Sequence, residues 1–427
     1  MNIKIIKNAA WMMSEKTVTI IGLFLVTSYV AKYVGPSTFG IISLATATFQ
    51  IIQIIAQLGN DNIIFKRVSK NEKSGVKLIN ATLLLRTAIY IVLSIPTLYY
   101  FYEYKDHLTF VFSIAICIAC FFTSIDIYSI YNNAILNSKT NTIVNIIGLC
   151  IGLTMQYVIV FNKLDPLALT IPIIITTLIP LSIRYYFFKK KNKIKLKSGD
   201  FLKYNKYIIM SGLSIVFSTL SIAIYTRVNQ FMISYLEGNY NLGVYSVAVT
   251  LATSWAFVVA ALINSTLPSI FGEKDNAKAL RMTANLNIIV ILVSCGAIAF
   301  LALFGNFFIQ LLYGDAYKNA NGVMMVLCLS TMISNLGAVS SRYIIRFSGY
   351  SFLSKKMFCM VLLSVPISYT MIAIFGLIGA AYSVLAIEIL SLTVMNYFFK
   401  RGIVAQLHME TINLKKLNFK IIKRKTN

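Results

Sequence analysis

The chain is short of acid, of histidine and of the polar surface that water-soluble proteins need. Of its 427 residues only 14 are Asp or Glu, 2 are His and 2 are Trp, and charged residues of both signs reach just 12%. A soluble domain carries about 25%, so a chain this apolar cannot face water on all sides. The scarcity of His, with His107 and His408 both lying outside apolar runs, leaves no His/Cys cluster of metal-ligand spacing. No G-x-x-x-x-G-K-[ST] loop occurs, which excludes nucleotide hydrolysis at a P-loop. Six cysteines are present and all lie in apolar runs. Cys117 and Cys120 form a C-x-x-C that reads as small packing residues of a lipid-embedded helix, not as a redox pair. A cleavable leader is not expected, because Glu15 and Lys16 interrupt the stretch where its apolar core would lie. No cofactor is expected.

Apolarity dominates what remains: 58% hydrophobic residues and a mean hydropathy of +0.75. Runs long enough to cross a hydrocarbon core as helix recur throughout. The pattern predicts twelve spans, near 9–33, 37–60, 78–101, 108–130, 142–162, 167–188, 208–235, 242–268, 281–303, 320–341, 357–376 and 379–399. The fold class is therefore an all-α polytopic membrane protein, with two six-helix lobes around a central cavity.

A formal charge of +25 invites a nucleic-acid reading, and the placement of the charges removes it. Lys32, Lys105, Lys163 and Lys318 fall in external turns, and Arg86, Arg184 and Arg227 lie within spans. The remaining basic residues gather on one side, the positive-inside asymmetry that predicts both termini in the cytoplasm. The longest internal connection, 189–207, holds eight lysines and divides an N-terminal lobe (1–188) from a C-terminal lobe (208–399). Residues 400–427 form a basic tail. Such segments attract anionic membrane lipids. External connections are short, leaving no extramembrane domain for catalysis, and an enzyme is not expected.

The halves carry a weak internal repeat. Gly35, Gly40, Ser43 and Ala45 align with Gly238, Gly243, Ser246 and Ala248 at a constant offset of 203. Six spans per half give both the same orientation, an arrangement in which transporters place substrate between halves.

Polar residues inside spans mark candidate sites. Gln50, Gln53, Gln57 and Asp61 fall on one stripe of the second span, facing either protein or a wet cavity. The seventh span shows two polar faces: Ser211, Ser214, Ser218, Ser221, Tyr225 and Asn229 on one, Thr219, Arg227, Gln230 and Ser234 on the other. Which face lines a cavity stays open. Arg86 and Asp126 occupy the inner halves of consecutive antiparallel helices, placed either to pair with each other or, for Arg86, to meet substrate. Arg184, near an inner end, is expected to snorkel. Arg227 has no obvious acid nearby and is the leading candidate for an anion contact, since a guanidinium fork matches phosphate oxygens. Glu388 is a candidate for ion coupling or for helix pairing, as are Asp126 and Asp61.

Several motifs, in order, resemble one family. N-x-x-W-x-x-x-E-K (Asn8, Trp11, Glu15, Lys16), A-K-Y-V-G-P-S-T-F-G (Ala31 to Gly40) and L-G-N-D-N-I-I-F-K-R-V-S-K (Leu58 to Lys70) are similar to Wzx-type O-antigen flippases. That family is the polysaccharide-transporter branch of the MATE/lipid-flippase superfamily. T-R-V-N-Q-F-M-I (Thr226 to Ile233), L-G-V-Y-S-V-A (Leu242 to Ala248) and L-L-Y-G-D-A-Y-K-N-A (Leu311 to Ala320) extend the resemblance over nearly the whole chain. It implies alternating-access translocation of an undecaprenyl-diphosphate-linked oligosaccharide across the bacterial inner membrane. Cavity arginines such as Arg227 and Arg86 would hold the diphosphate and the stripe Gln50, Gln53 and Gln57 would meet the sugars, with Lys16, Glu15 and Gln230 as further candidate cavity residues. H⁺ or Na⁺ is a possible coupling ion; a polysaccharide polymerase and a chain-length regulator are partners by analogy, and nucleic acid is not. The family pattern commonly has Asp where Asn229 stands, which removes one coupling carboxylate. The competing reading is a cation-coupled exporter of small drugs on the same fold.

Overall fold

The computed structural model describes residues 3–192 and 198–413. Within those ranges some side chains, among them Glu15, Lys16, Ser211, Ser214 and Ser218, lie outside the described residues. Residues 193–197 of the basic linker and 414–427 of the tail lie outside them too.

All regular secondary structure among the described residues is helical. The elements are α1 (Ile3–Gln57), α2 (Asn60–Lys70), α3 (Glu72–Tyr104), α4 (His107–Ile125), α5 (Tyr128–Ala134), α6 (Ser138–Phe161), α7 (Thr170–Lys191) and α8 (Ser198–Leu236). They continue as α9 (Gly238–Thr253), α10 (Ala256–Gly272), α11 (Asn276–Leu312), α12 (Ala320–Arg346), α13 (Tyr350–Phe375), α14 (Leu377–Leu390) and α15 (Ile403–Ile412). Among the described residues ten segments are long and apolar enough to span a bilayer. The N-terminal limb of α1 and α8 supply the two further segments that the hydropathy pattern predicts. The protein is a multi-pass membrane protein.

α1 is two helices joined at a corner. Gly35 there takes φ 75°, ψ 172° and is followed by Pro36. A positive φ is cheap only for glycine, and proline offers no N–H to continue the ladder across the corner. Gly238 opens α9 with φ 82°. The two repeat-related glycines thus share a left-handed backbone, and the sequence repeat has a physical basis in two equivalent turns.

The chain forms two compact units, Met1–Arg227 and Val228–Asn427, with the division falling inside α8. In the first unit, one end is packed by Ile64, Val76, Leu78, Ile127, Tyr131 and Phe188. The opposite end is packed by Val30, Ile41, Phe112, Ile159 and Leu169. In the second unit α12 meets α15 through Tyr343 and Leu407, with Ala284 of α11 beside them. At the α13–α14 turn Gly379 lies against the backbone of Met371, too close for any side chain.

Candidate functional site: a cavity in the first unit

The two ends of the first unit leave a space between them. A cavity of about 570 Å³ lies among α1, α4, α6 and α7 and reaches Arg227 on α8. Arg227 is half-buried. Its Nη2 donates to Gln50 Oε1 and its Nη1 to Thr226 Oγ1 at 3.2 Å. Gln53, Gln156, Thr46 and Thr123 join Gln50 on the polar wall. Phe39, Ile116, Leu153 and their neighbours make the rest apolar. Among the described lining residues no carboxylate is present, so the guanidinium gives the cavity a net positive charge.

The polar stripe of the second span is only half realised. Gln50 and Gln53 line the cavity, whereas Gln57 and Asp61 do not. α1 ends at Gln57 because Leu58 (φ 51°) and Gly59 (φ 61°) turn left-handed. The chain restarts as α2 in a new direction, so the 100°-per-residue phase does not carry through to Asp61. Asp61 falls instead in the first turn of α2, where the helix dipole favours an acid.

That break decides the ion pairs. Arg86, 1% exposed, donates from Nη2 to Asp61 Oδ1 at 3.0 Å and from Nη1 to Ser124 O at 3.2 Å. The Arg86–Asp126 pair, one of the two placements the sequence allows, is not formed. Asp126 sits in the gap between α4 and α5, with ψ 61°, and that gap aims its carboxylate at Arg184 of α7. Arg184 is 4% exposed, donating also to Asn145 Oδ1, so it does not snorkel. Both arginines are neutralised in place and neither lines the cavity.

The two faces of the seventh span also separate. Arg227 meets the cavity. Asn229, 5% exposed, instead accepts a hydrogen bond from Ser383 Oγ of α14 at 2.9 Å. Gln230 is half-buried and does not line the cavity. Cys120 lines it as a free thiol, and Cys117 is buried beside Tyr90. No group of three or more His, Cys, Asp or Glu side chains gathers among the described residues.

In the second unit a polar cluster escaped the sequence reading. Lys356, one residue outside the predicted span 357–376, is 6% exposed and donates to Asn396 Oδ1 at 2.8 Å. Glu388 lies within electrostatic reach of it. α13 begins at Tyr350, a turn and more before the predicted span, which draws Lys356 inside. A five-residue π-helical stretch, Ser391–Met395, lies just before Asn396, and such stretches recur at functional sites. Gln156 of the cavity was missed as well; its one signal is an amide in an otherwise apolar run.

Comparison with known proteins settles the family. The model of the family described as "Polysaccharide biosynthesis protein" matches residues 5–273. The chain belongs to that family. One relative is the capsular polysaccharide biosynthesis protein CapF of Staphylococcus aureus, 22% identical over 221 residues. The match covers 51% of this chain and 56% of CapF, so the family member spans about half the length of this relative. Its fold is that of MATE transporters. An outward-facing multidrug resistance MATE family transporter of the MOP superfamily superimposes with a TM-score of 0.63 at 14% identity, over 97% of each chain. An inward-facing one gives 0.66 at 15%, over 91% of this chain and 95% of the other. A MOP superfamily transporter from Pyrococcus furiosus, described as having a binding pocket of reverse polarity, gives 0.61 at 13%, over 97% and 96%.

Proposed function

We propose that the chain is a flippase. Its substrate is an undecaprenyl-diphosphate-linked oligosaccharide, an O-antigen or capsule repeat unit. It moves this from the cytoplasmic to the outer leaflet of the bacterial inner membrane by alternating access, with both termini cytoplasmic. The observation that carries the reading is the charge of the cavity: a half-buried guanidinium flanked by amides and hydroxyls, with no acid on the described wall. A phosphate needs fixed donors, because desolvating an anion is costly unless it is paired. Sugar hydroxyls need the amides and threonines, and a polyprenyl tail needs only lipid. The polysaccharide biosynthesis family supports the same substrate class.

The second reading, a drug exporter on this fold, draws on the largely apolar wall. A cationic drug would require a carboxylate where this cavity presents Arg227. Deleting the gene in its host and locating the lipid-linked saccharide separates the two. Accumulation on the cytoplasmic leaflet with loss of surface polysaccharide is expected. Saccharide still reaching the outer leaflet, with no redundant flippase, refutes the proposal.

A further inference from the structure

A second cavity, far along α7 from the first, has a different chemistry. It measures about 380 Å³ and is lined by Asn132, Asn137, Thr140, Lys190 and Lys191 over an apolar floor that includes Ile135 and Phe188. It lies where the α5–α6 turn meets the last turn of α7.

Every charge on its lining is positive. Lys191 Nζ is tied to Glu72 Oε1 at 2.8 Å, and the Tyr131 hydroxyl donates to the same carboxylate. Glu72 itself does not line the space. Lys190 is exposed and has no ion-pair partner among the described residues. Asn137, the N-cap residue of the 24-residue α6, lines the same space and makes no side-chain cap bond. The Asn137 side-chain oxygen is taken by Thr140 Oγ1 at 3.1 Å, which leaves its amide N–H₂ to donate. The cavity therefore offers the Lys190 ammonium and the Asn137 amide together, a donor pair that suits a phosphate group.

Its surroundings select the source of that phosphate. Tyr185, Tyr186 and Phe187 of α7 are 44%, 60% and 52% exposed beside it. Aromatic side chains of this kind mark the level of lipid headgroups at the end of a span, and basic pockets between membrane helices receive anionic headgroups. A free phosphate would gain nothing from the apolar floor or the aromatic rim, whereas a glycerolipid would use both.

We propose that this cavity binds the phosphate headgroup of an anionic phospholipid through Lys190 and the Asn137 amide, with the Glu72-paired Lys191 at its edge, pinning the α5–α6 turn and the end of α7 at the bilayer surface. The site is separate from the Arg227 cavity and stands whether or not the flippase reading holds.

Lys189 provides the control. It lies next in sequence but bonds Tyr185 Oη at 3.1 Å and does not line the cavity. Purified full-length protein, stripped of lipid in mild detergent, is titrated with phosphatidylglycerol or phosphatidylcholine, and retained lipid is read by native mass spectrometry. Wild type should retain phosphatidylglycerol in preference. Lys190→Gln should weaken that retention about fivefold, the effect of roughly 1 kcal/mol per basic residue, while Lys189→Gln leaves it unchanged. Equal losses in both variants would show diffuse surface charge and overturn the site. So would the absence of a preference in wild type. Inorganic phosphate displacing the lipid at comparable concentration would make this a free-phosphate site and overturn the lipid assignment.

Discussion

Removing Asp126 alone should damage the protein more than removing Asp126 and Arg184 together. Arg184 is 4% exposed and Asp126 12%, so Asp126→Leu strands a guanidinium in a low-dielectric interior with only Asn145 and the Asn141 carbonyl as partners. Breaking a buried pair in this way costs about 3–5 kcal/mol, whereas replacing both members with apolar groups is often neutral. The geometry favours the neutral outcome here, because Asp126 Oδ1 and Arg184 Nε are buried without hydrogen-bond partners. The pair does not repay the whole desolvation of its own atoms. Unfolding titrations of Asp126→Leu, Arg184→Met and the double variant in mixed micelles should therefore give a coupling of about 3 kcal/mol. A parallel cycle with Arg86→Met and Asp126→Leu should give a coupling below about 1 kcal/mol, since Arg86 is held by Asp61. A coupling in the second cycle as large as in the first would refute the assignment of partners.

Arg227→Ala should abolish translocation with membrane insertion intact, and Gln50→Leu, which leaves the guanidinium unaimed, should cost about tenfold, on the order of one charge-assisted hydrogen bond. Normal surface polysaccharide in Arg227→Ala cells would remove Arg227 from the mechanism. Gly379→Ala should destabilise by about 1–3 kcal/mol, because the new methyl meets the Met371 carbonyl and the Ile372 Cα. Gly272→Ala, with nothing within 4 Å, is the control, and equal melting temperatures for the two variants would contradict the packing. His408, outside the spanning segments, is half-buried between Ser340 Oγ and Tyr397 Oη, and burial lowers its pKa below 6.5. Below pH 6.5 the unfolded chain takes up a proton that the folded chain resists, so stability should fall between pH 7.5 and 5.5. His408→Asn should flatten that slope, and an unchanged slope would assign the pH dependence elsewhere.

The spans were legible because bilayer thickness imposes a length on every apolar run, and no local detail can override it. The Gly35 and Gly238 turns were legible for a similar reason: a corner between two helices demands a residue tolerant of positive φ. The partners of Arg86 and Arg184 were not. They depend on where the helices break, at Leu58–Gly59 and at Asp126, and those breaks fall inside apolar runs that hydropathy reads as continuous. A stripe computed on one unbroken helix therefore carried Asp61 to the wrong place. Lys356 was misplaced through the opposite error, because α13 continues past the point where hydropathy falls.

The breaks also decide which arginine of the first unit has no carboxylate partner among the described residues. Three arginines lie within the spans of the first unit, and composition alone gives them equal claim to an anionic substrate. A carboxylate within reach cancels that claim, because an arginine committed to it presents no net charge and no free fork. Asp61 disposes of Arg86 and Asp126 of Arg184. Arg227 is held by an amide and a hydroxyl, which orient a guanidinium without neutralising it. One such fork matches one phosphate, and the glutamines around it suit neutral hydroxyls better than a second charge. On the flippase reading, the cavity of the first unit therefore takes the junction between a phosphate and the first sugars. In that position Arg227→Lys, which keeps the charge and loses the fork, should impair transport nearly as much as Arg227→Ala.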